Sequence, residues 1–440
     1  MNTRKLAYQI VNKVFSNNNF SDKLLRNYSK KLENNQDIKF LYSLVRGTIK
    51  MKGYLDYLLK HLLGEKKFEK TPLKIKILLY LGIYQITSLD NVPDRAAVYE
   101  TVELAKIVFD KKVASFVNAI LNKYLRNPKI DLPEDNIERI AVEYSFPKHL
   151  VEKWVSYWGE ENTEYLCMFY NEPPLLSFRV NNLATKPNKI FNYYSRKKIP
   201  IKPFMCSQNI FQTNAGDEIL KDVAFEEGYI TIQDPSASMV VDLMNPKENE
   251  SILDLFAAPG GKITYVAEKM NNTGEIIAID KFPFKVKELK KNLNRLKIYN
   301  TKTIAIDAFK YGPVAPAFDK VLIDVPCSGW GVFQKKPELR WQENQDIKEL
   351  IKLQENALDK ASQFVAENGY LIYSTCTLNE DENERQIEKF LKKHKDFKIV
   401  PATSLIEPGF TSSCFLKTIP FMHHIDGAFA AKLKKVKDKK

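Results

Sequence analysis

The stretch Ser251–Thr264, SILDLFAAPGGKIT, decides how this chain is read. Ile252, Leu253 and Leu255 form an apolar run broken by Asp254. Ala257-Ala258-Pro259-Gly260-Gly261 then turns into Lys262 and a helical pattern. A buried strand ending in a Gly-rich turn that opens a helix is a nucleotide-binding geometry. Glycine lets the backbone approach a ligand closely, and the helix N-terminus presents free N–H groups. Downstream, candidate strands at 252–256, 276–280, 303–306, 320–324 and 370–375 alternate with helical patterns at 264–270, 284–296, 347–366 and 382–393. This rhythm predicts an α/β fold with a parallel doubly wound sheet, whose ligands bind at the carboxyl ends of the strands.

Upstream the texture differs. Residues 1–126 read as all-helical; Val113, Phe116, Val117, Ile120, Leu121, Tyr124 and Leu125 share one face, and Asn127-Pro128 stops that helix. Asn171-Glu172-Pro173-Pro174 is the clearest linker signal. Short strand-like runs at 175–180, 199–201 and 229–232 follow, with a helical pattern near 186–196. The expected domains are 1–128, all-helical; 129–232, a helical linker plus a small α/β module; and 233–440, the doubly wound sheet with a basic C-terminal tail.

The 440 residues are too many for one core. Of the formal charge of +13, residues 1–126 carry 23 Lys and Arg against 11 Asp and Glu, and the tail 432–440 carries six Lys against one Asp. Blocks of this kind suit a polyanion, with nucleic acid the leading candidate; the alternative is a basic solubility surface. Five widely spaced cysteines, with no CxxC or metal-type spacing, fit free thiols in a reducing compartment and no metal site. No segment reads as a signal peptide or a membrane span, so the expectation is a soluble cytoplasmic protein.

The chemistry-bearing residues gather at one sheet edge. Asp280 closes the second predicted strand, Asp307 the third and Asp324 the fourth. Carboxylates in that position favour a sugar or cationic ligand over a diphosphate, and the first loop lacks G-x-G-x-x-G; both points disfavour a nicotinamide dinucleotide. S-adenosylmethionine fits better, because the acids can receive ribose, adenine amino and ammonium groups. Two cysteines lie in polar turns at neighbouring strand ends: Cys327 in Asp324-Val325-Pro326-Cys327-Ser328-Gly329, and Cys376 in Ser374-Thr375-Cys376-Thr377. A single such Cys is usually a small buried apolar residue. Two favour a nucleophile, whose thiolate can add to an electron-poor carbon. Asn379 and Glu382 have capping-box spacing. Arg340 and Trp341 suit either a phosphate and base contact or a surface anchor.

LDLFAAPGGK, IDVPCSG and YSTCTLNEDENE resemble the signature of the RNA cytosine-C5 methyltransferases of the Sun/NOL1/NOP2 (RsmB/NOP2/NSUN) superfamily. FVNAILNKYLR, AAVYETVELAK, Gln233–Ser238 and Asp426-Gly427-Ala428-Phe429 are similar to its bacterial 16S ribosomal RNA branch, the RsmB/Sun (Fmu) type. Phe256 departs from the Cys that usually precedes AAPGGK, at a backbone-contact position. The resemblance implies a Rossmann-like S-adenosylmethionine-dependent methyltransferase sheet, preceded by an all-α NusB-like RNA-binding domain and a small α/β module. It implies that Phe256, Ala257, Ala258, Pro259, Gly260, Gly261 and Lys262 wrap the methionine part of the cofactor, that Asp280 holds the ribose, and that Asp307 lies by the adenine. Asp324 borders cofactor and base, Cys376 is the nucleophile, and Cys327 acts in release. The implied reaction is methyl transfer to C5 of a cytosine in 16S ribosomal RNA, before the subunit is fully assembled, through a covalent Cys–C6 intermediate. Two alternatives stay open: a related enzyme acting on transfer RNA or large-subunit RNA, and a non-catalytic RNA-binding assembly or antitermination factor.

Overall fold

Two apolar periodicities, one helical and one of strands, build separate cores. The computed structural model describes residues 2–312, 317–342 and 346–437. It divides into one unit of residues 1–172 with 333–344, and another of residues 173–332 with 345–440.

The first unit is helical among the described residues, from Thr3–Asn17 through Lys148–Asn171. The predicted stripe faces its core: in the helix Lys111–Arg126, Val117, Ile120, Leu121 and Tyr124 are buried along with Ala114, while Val113, Phe116 and Leu125 are partly buried against the core. The Asp110 carboxylate caps the start by accepting Val113 N–H at 2.8 Å. Asp94 begins the helix Asp94–Val108 without capping it. The segment 333–344, which follows the second cysteine motif in sequence, belongs to this unit. Phe333 packs among Phe146, Trp154 and Tyr170.

The second unit begins with an antiparallel sheet of β1 (Leu176–Val180), β2 (Lys202–Phe204), β3 (Ser207–Thr213) and β4 (Ile230–Ile232), in the order β2-β3-β1-β4. The sequence pattern does not reveal β3, whose polar residues Ser207, Gln208 and Asn209 hide the period. The large sheet starts with β5 (Ser251–Asp254), β6 (Glu275–Asp280), β7 (Thr301–Ala305), β8 (Phe318–Asp324) and β9 (Val365–Thr375), all parallel, in the spatial order β7-β6-β5-β8-β9. Strand alternation sends Ile252, Ile276, Leu322 and Ile372 to the core on one face. Leu253, Ile277, Val321 and Leu371 go to the core on the other. A strand buried on both faces reads as a near-continuous apolar run, as the segment 252–255 does apart from Asp254.

Two expectations need correction. The helix expected over 347–366 ends at Ser362, and Val365 starts β9; Phe318 N–H donates to Phe364 carbonyl at 2.8 Å, so sheet pairing captures the end of the helical pattern. The basic tail expected from residue 432 is in part a strand. Beyond β9 the sheet continues antiparallel through β10 (Phe397–Val400), β11 (Thr411–Ser412), β12 (Phe415–Thr418) and β13 (Ala428–Lys435). β13 pairs with β9, β10 and β12. Lys432, 5% exposed, donates to the Met244 carbonyl at 3.1 Å at the end of the helix Pro235–Met244. Lys435 donates to the Val365 carbonyl at 3.0 Å. Long alkyl stems let lysines lie along apolar surface while their ammonium groups satisfy backbone carbonyls, that of Met244 at a helix end and that of Val365 at the start of β9. Among the described residues no helix is long and apolar enough to cross a membrane.

Candidate active site

The strand order reverses at β5, with β6 on one side and β8 on the other, and such a switch point opens a crevice at the carboxyl ends of the strands. Asp254 closes β5 there. Its carboxylate is almost fully buried and accepts Phe256 N–H at 3.0 Å. Burial, with Asp324 and Asp280 adding to it, pushes its pKa up to about 8. The loop after it is pinned at several points. Ala257 N–H donates to the Ile279 carbonyl at 2.8 Å, and Asn292 Nδ2 to the Pro259 carbonyl at 3.1 Å. Gly260 has φ of 105°, where a side chain is strained and would run into Leu289. Gln233 Nε2 holds the Gly261 carbonyl at 2.9 Å, and the buried Arg179 orients Gln233 by donating to its Oε1 at 2.7 Å. Arg179 also pairs with Glu268 on the helix Gly261–Lys269. Arg179 thus makes structural hydrogen bonds that shape the loop from behind.

The predicted carboxylates line the next two strand ends. Asp280, at the end of β6, accepts Phe282 N–H at 2.9 Å through Oδ1. Asp307 lies two residues beyond β7, capping a short turn through Phe309 N–H at 3.1 Å, with Lys281 at 3.1 Å from its other oxygen. These contacts, the backbone bond first, hold its pKa below the usual value. Lys262 Nζ lies 2.6 Å from Asp324 Oδ2, and Ser374 Oγ donates to Asp324 Oδ1 at 2.7 Å. Burial opposes the Lys262 charge, but Asp324, Cys376 and Asp254 outweigh it and raise its pKa.

The cysteine loops leave adjacent strands. β8 and β9 run in register to the pair Asp324–Ser374, and Cys327 and Cys376 follow. Their Sγ atoms are 3.3 Å apart, and Cys376 N–H points at Cys327 Sγ at the same distance. Hydrogen bonding to Cys376, then burial, raises the Cys327 thiol well above its ordinary pKa. Gly331 N–H donates to the Cys376 carbonyl at 3.0 Å, and Gly427 N–H to the Gly331 carbonyl at 2.9 Å. A Cβ at Gly331 would overlap both partners, which accounts for glycine there and in the Asp426-Gly427 motif.

Several predicted residues stand elsewhere. Asn379 does cap, accepting Asp381 N–H at 3.3 Å, but Glu382 does not complete a capping box; its buried carboxylate faces Ser328. Arg340 is buried in the helical unit, donating to the Tyr170 carbonyl at 3.0 Å and Asn171 Oδ1 at 2.9 Å, and Trp341 Nε1 donates to the Ile49 carbonyl at 2.7 Å. Both are anchors inside that unit. Ser374 and Gln354 are not apparent from sequence as members of the site. Gln354 carried a signal: it lies on the buried face of the helix Ile347–Ser362 with Ala357, Leu358 and Ala361.

Residues 241–434 match the family 16S rRNA methyltransferase RsmB/F, and residues 1–126 match the NusB family. The chain is 34% identical over 445 residues to "Probable ribosomal RNA small subunit methyltransferase B" of Bacillus subtilis (strain 168), covering 98% of each. The chain belongs to the RsmB/F family. A further RsmB/F relative, "Ribosomal RNA small subunit methyltransferase B" of Photorhabdus laumondii, is 28% identical, with 99% of each covered. Among solved structures, the crystal structure of PH0851 covers 99% of both chains at 26% identity with a TM-score of 0.83. That of NSun6 from Pyrococcus horikoshii with SFG covers 67% of this chain and all of its own, at 24% identity and a TM-score of 0.60; the latter likeness concerns the fold.

Proposed function

We propose that this protein transfers a methyl group from S-adenosylmethionine to C5 of one cytosine in 16S ribosomal RNA, before the subunit is fully assembled, through a covalent Cys376–C6 adduct. The observation that carries the reading is the pair of thiols 3.3 Å apart beside the Lys262–Asp324 pair at the switch point.

The residues present fit the cofactor. Asp280 is a buried carboxylate with one oxygen on Phe282 N–H, which suits it to ribose hydroxyls; Asp307 stands at the next strand end for the adenine side. Phe256, Ala257, Ala258, Pro259, Gly260, Gly261 and Lys262, with Asp324, would take the methionine part. The acids complement a cation, and the start of the helix Gly261–Lys269 complements a carboxylate. When bound, the cofactor supplies a methyl group on a positively charged sulfur.

C5 of cytosine is a poor nucleophile, and adding sulfur to C6 divides the difficult step. The Cys376 thiolate, in the field of Lys262, forms the S–C6 bond while the C5=C6 electron pair moves toward N3. A proton taken up from solvent at N3, with the Asp324 carboxylate accepting from N3–H, holds the resulting enamine, whose C5 is then electron-rich enough to accept methyl. After alkylation the C5 proton leaves to a base, the electron pair re-forms C5=C6, Cys376 departs as thiolate, and N3 returns the proton it took up. Cys327, in contact with the Cys376 sulfur, acts in that release. The target base has to leave its stack, because C6 is shielded within it.

Bisulfite sequencing of ribosomal RNA from a deletion strain and its parent tests this reading. One 16S cytosine should resist conversion only in the parent. Identical 16S patterns in the two strains would overturn the assignment, and a lost mark in transfer or large-subunit RNA would move the substrate.

A further inference from the structure

Glu382 takes no part in the chemistry above, yet it is fully buried next to it. Its carboxylate gathers four donors. Oε2 accepts Ser328 N–H at 2.9 Å and Gln354 Nε2 at 2.9 Å. Oε1 accepts Asn379 Nδ2 at 3.0 Å and the Ser328 hydroxyl. These donors bracket the two sulfurs. Ser328 follows Cys327, and Gln354 Nε2 also donates to the carbonyl of Pro326, which precedes it, at 3.0 Å. Ser328 Oγ lies 2.7 Å from Oγ1 of Thr377, the residue after Cys376. The β8–β9 ladder ends at Asp324–Ser374, with one more bond from Val325 N–H to the Ser374 carbonyl at 3.1 Å. Beyond that point one backbone bond, Gly331 N–H to the Cys376 carbonyl at 3.0 Å, joins the Cys327 and Cys376 loops, and side chains supply the other hydrogen bonds between them.

We propose that Glu382 is a positioning residue that fixes the separation of Cys327 and Cys376, through Ser328 on one loop and Asn379 and Thr377 on the other, and so governs how readily the covalent adduct forms and resolves. The proposal rests on the cytosine-C5 reading of the site for its consequence, but its geometry is independent of any substrate. Only an ionised carboxylate suits all four donors, because it accepts through both oxygens and donates through neither. Such charge-assisted bonds are the strong ones, and a buried carboxylate deprived of them is costly. The same charge helps keep the proton on Cys327, behind the larger effects of its bond to Cys376 and of burial. Glu382→Gln keeps the shape but turns an NH2 group toward at least one pair of donors.

Two readouts on the full chain test this. The first uses no RNA: diamide oxidises the two thiols to a Cys327–Cys376 disulfide, and the rate of closure measures how well the sulfurs are held together. The second is methyl transfer to 16S RNA under single turnover, with binding of S-adenosylmethionine measured separately. Glu382→Gln should slow both closure and transfer by about 10- to 100-fold, the usual cost of misplacing reacting groups by an ångström or less, with cofactor affinity unchanged. Closure and transfer at wild-type rates in folded Glu382→Gln would overturn the proposal, as would slowed transfer with wild-type closure. If Glu382→Gln does not fold, Ser328→Ala removes one donor and the Thr377 bridge and takes the same two measurements; slowing in the same direction supports positioning, and unchanged rates overturn it. Slowed closure in a protein whose wild type methylates no RNA would keep the positioning and sink the reaction assigned above.

Discussion

Cys327 Sγ lies 3.3 Å from Cys376 Sγ, although 49 positions of chain separate them. Two thiols this close titrate as a pair and not one by one. The arrangement suits one sulfur that attacks and one that acts on the proton balance of its departure. Cys376→Ala should abolish methyl transfer. Cys327→Ala should let a protein–RNA adduct accumulate, seen as a slower band in denaturing gels and absent from the double variant. Because the bond to Cys376 is the first cause of the raised Cys327 pKa, Cys376→Ala should also move alkylation of Cys327 to lower pH. An unchanged alkylation profile would mean that the two sulfurs do not interact in solution.

Lys262 and Asp324 form an ion pair at 2.6 Å with 17% and 35% of their side chains exposed. Partial exposure limits what such a pair adds to stability, to about 1 kcal/mol or less. Its value lies in aiming Asp324 and in drawing charge onto Cys376. Lys262→Met keeps the alkyl stem and removes the charge. Methyl transfer should fall by about 100-fold, the scale of losing one electrostatic stabiliser in an active site, while the thermal midpoint changes little. A large fall in midpoint with activity intact would reverse that assignment.

Buried basic residues behave differently from exposed ones. Removing a Lys or Arg that pairs with a phosphate lowers the slope of log affinity against log salt by about 1. Arg340 spends its donors on Tyr170, Asn171 and Ser145, and burial brings its pKa down to about 9. Lys432 spends its donor on Met244, with burial taking its pKa to about 8. Arg340→Met should therefore destabilise by about 2–4 kcal/mol, the cost of stranding buried acceptors, and leave the salt slope of RNA binding unchanged. Lys432→Met should likewise leave that slope unchanged. A shallower slope in either variant would make that residue a phosphate ligand.

Motif and period carried most of what could be read without coordinates. The run 252–255, the turn through Gly260 and the Asp that ends each of β5, β6 and β8 follow from local rules, and these three strands formed within two residues of expectation. What escaped was non-local. β13 is dense in lysine and reads as a tail, but pairing on both edges and carbonyl partners for Lys432 and Lys435 make it an inner strand. Glu382 has the spacing of a cap, and only the fold brings Ser328 and Gln354 to it. Arg340 and Trp341 stay open in the sequence between a ligand contact and a surface anchor, because nothing between the motifs reveals that residues 333–344 belong to the helical unit.

Asp254 offers a test of the site's electrostatics that needs no substrate. The residue is 1% exposed, and its pKa rises from 3.8 to about 8, chiefly through burial, with the like charges of Asp324 and Asp280 adding to it. A raised pKa in the folded state means that the native protein keeps a proton which the unfolded chain has released. Stability from this group is fully present below about pH 4 and is lost as pH rises toward about 8. Between those limits the unfolded state binds one proton fewer, so the contribution falls by about 1.4 kcal/mol per pH unit. Asp254→Asn is neutral at every pH and retains an oxygen to accept Phe256 N–H. Urea unfolding at pH 5.5 and 7.5 should therefore show the wild type losing roughly 3 kcal/mol more than the variant over that interval. Equal losses would mean that Asp254 is ionised in the folded protein, with the Phe256 N–H and Lys262 outweighing its burial.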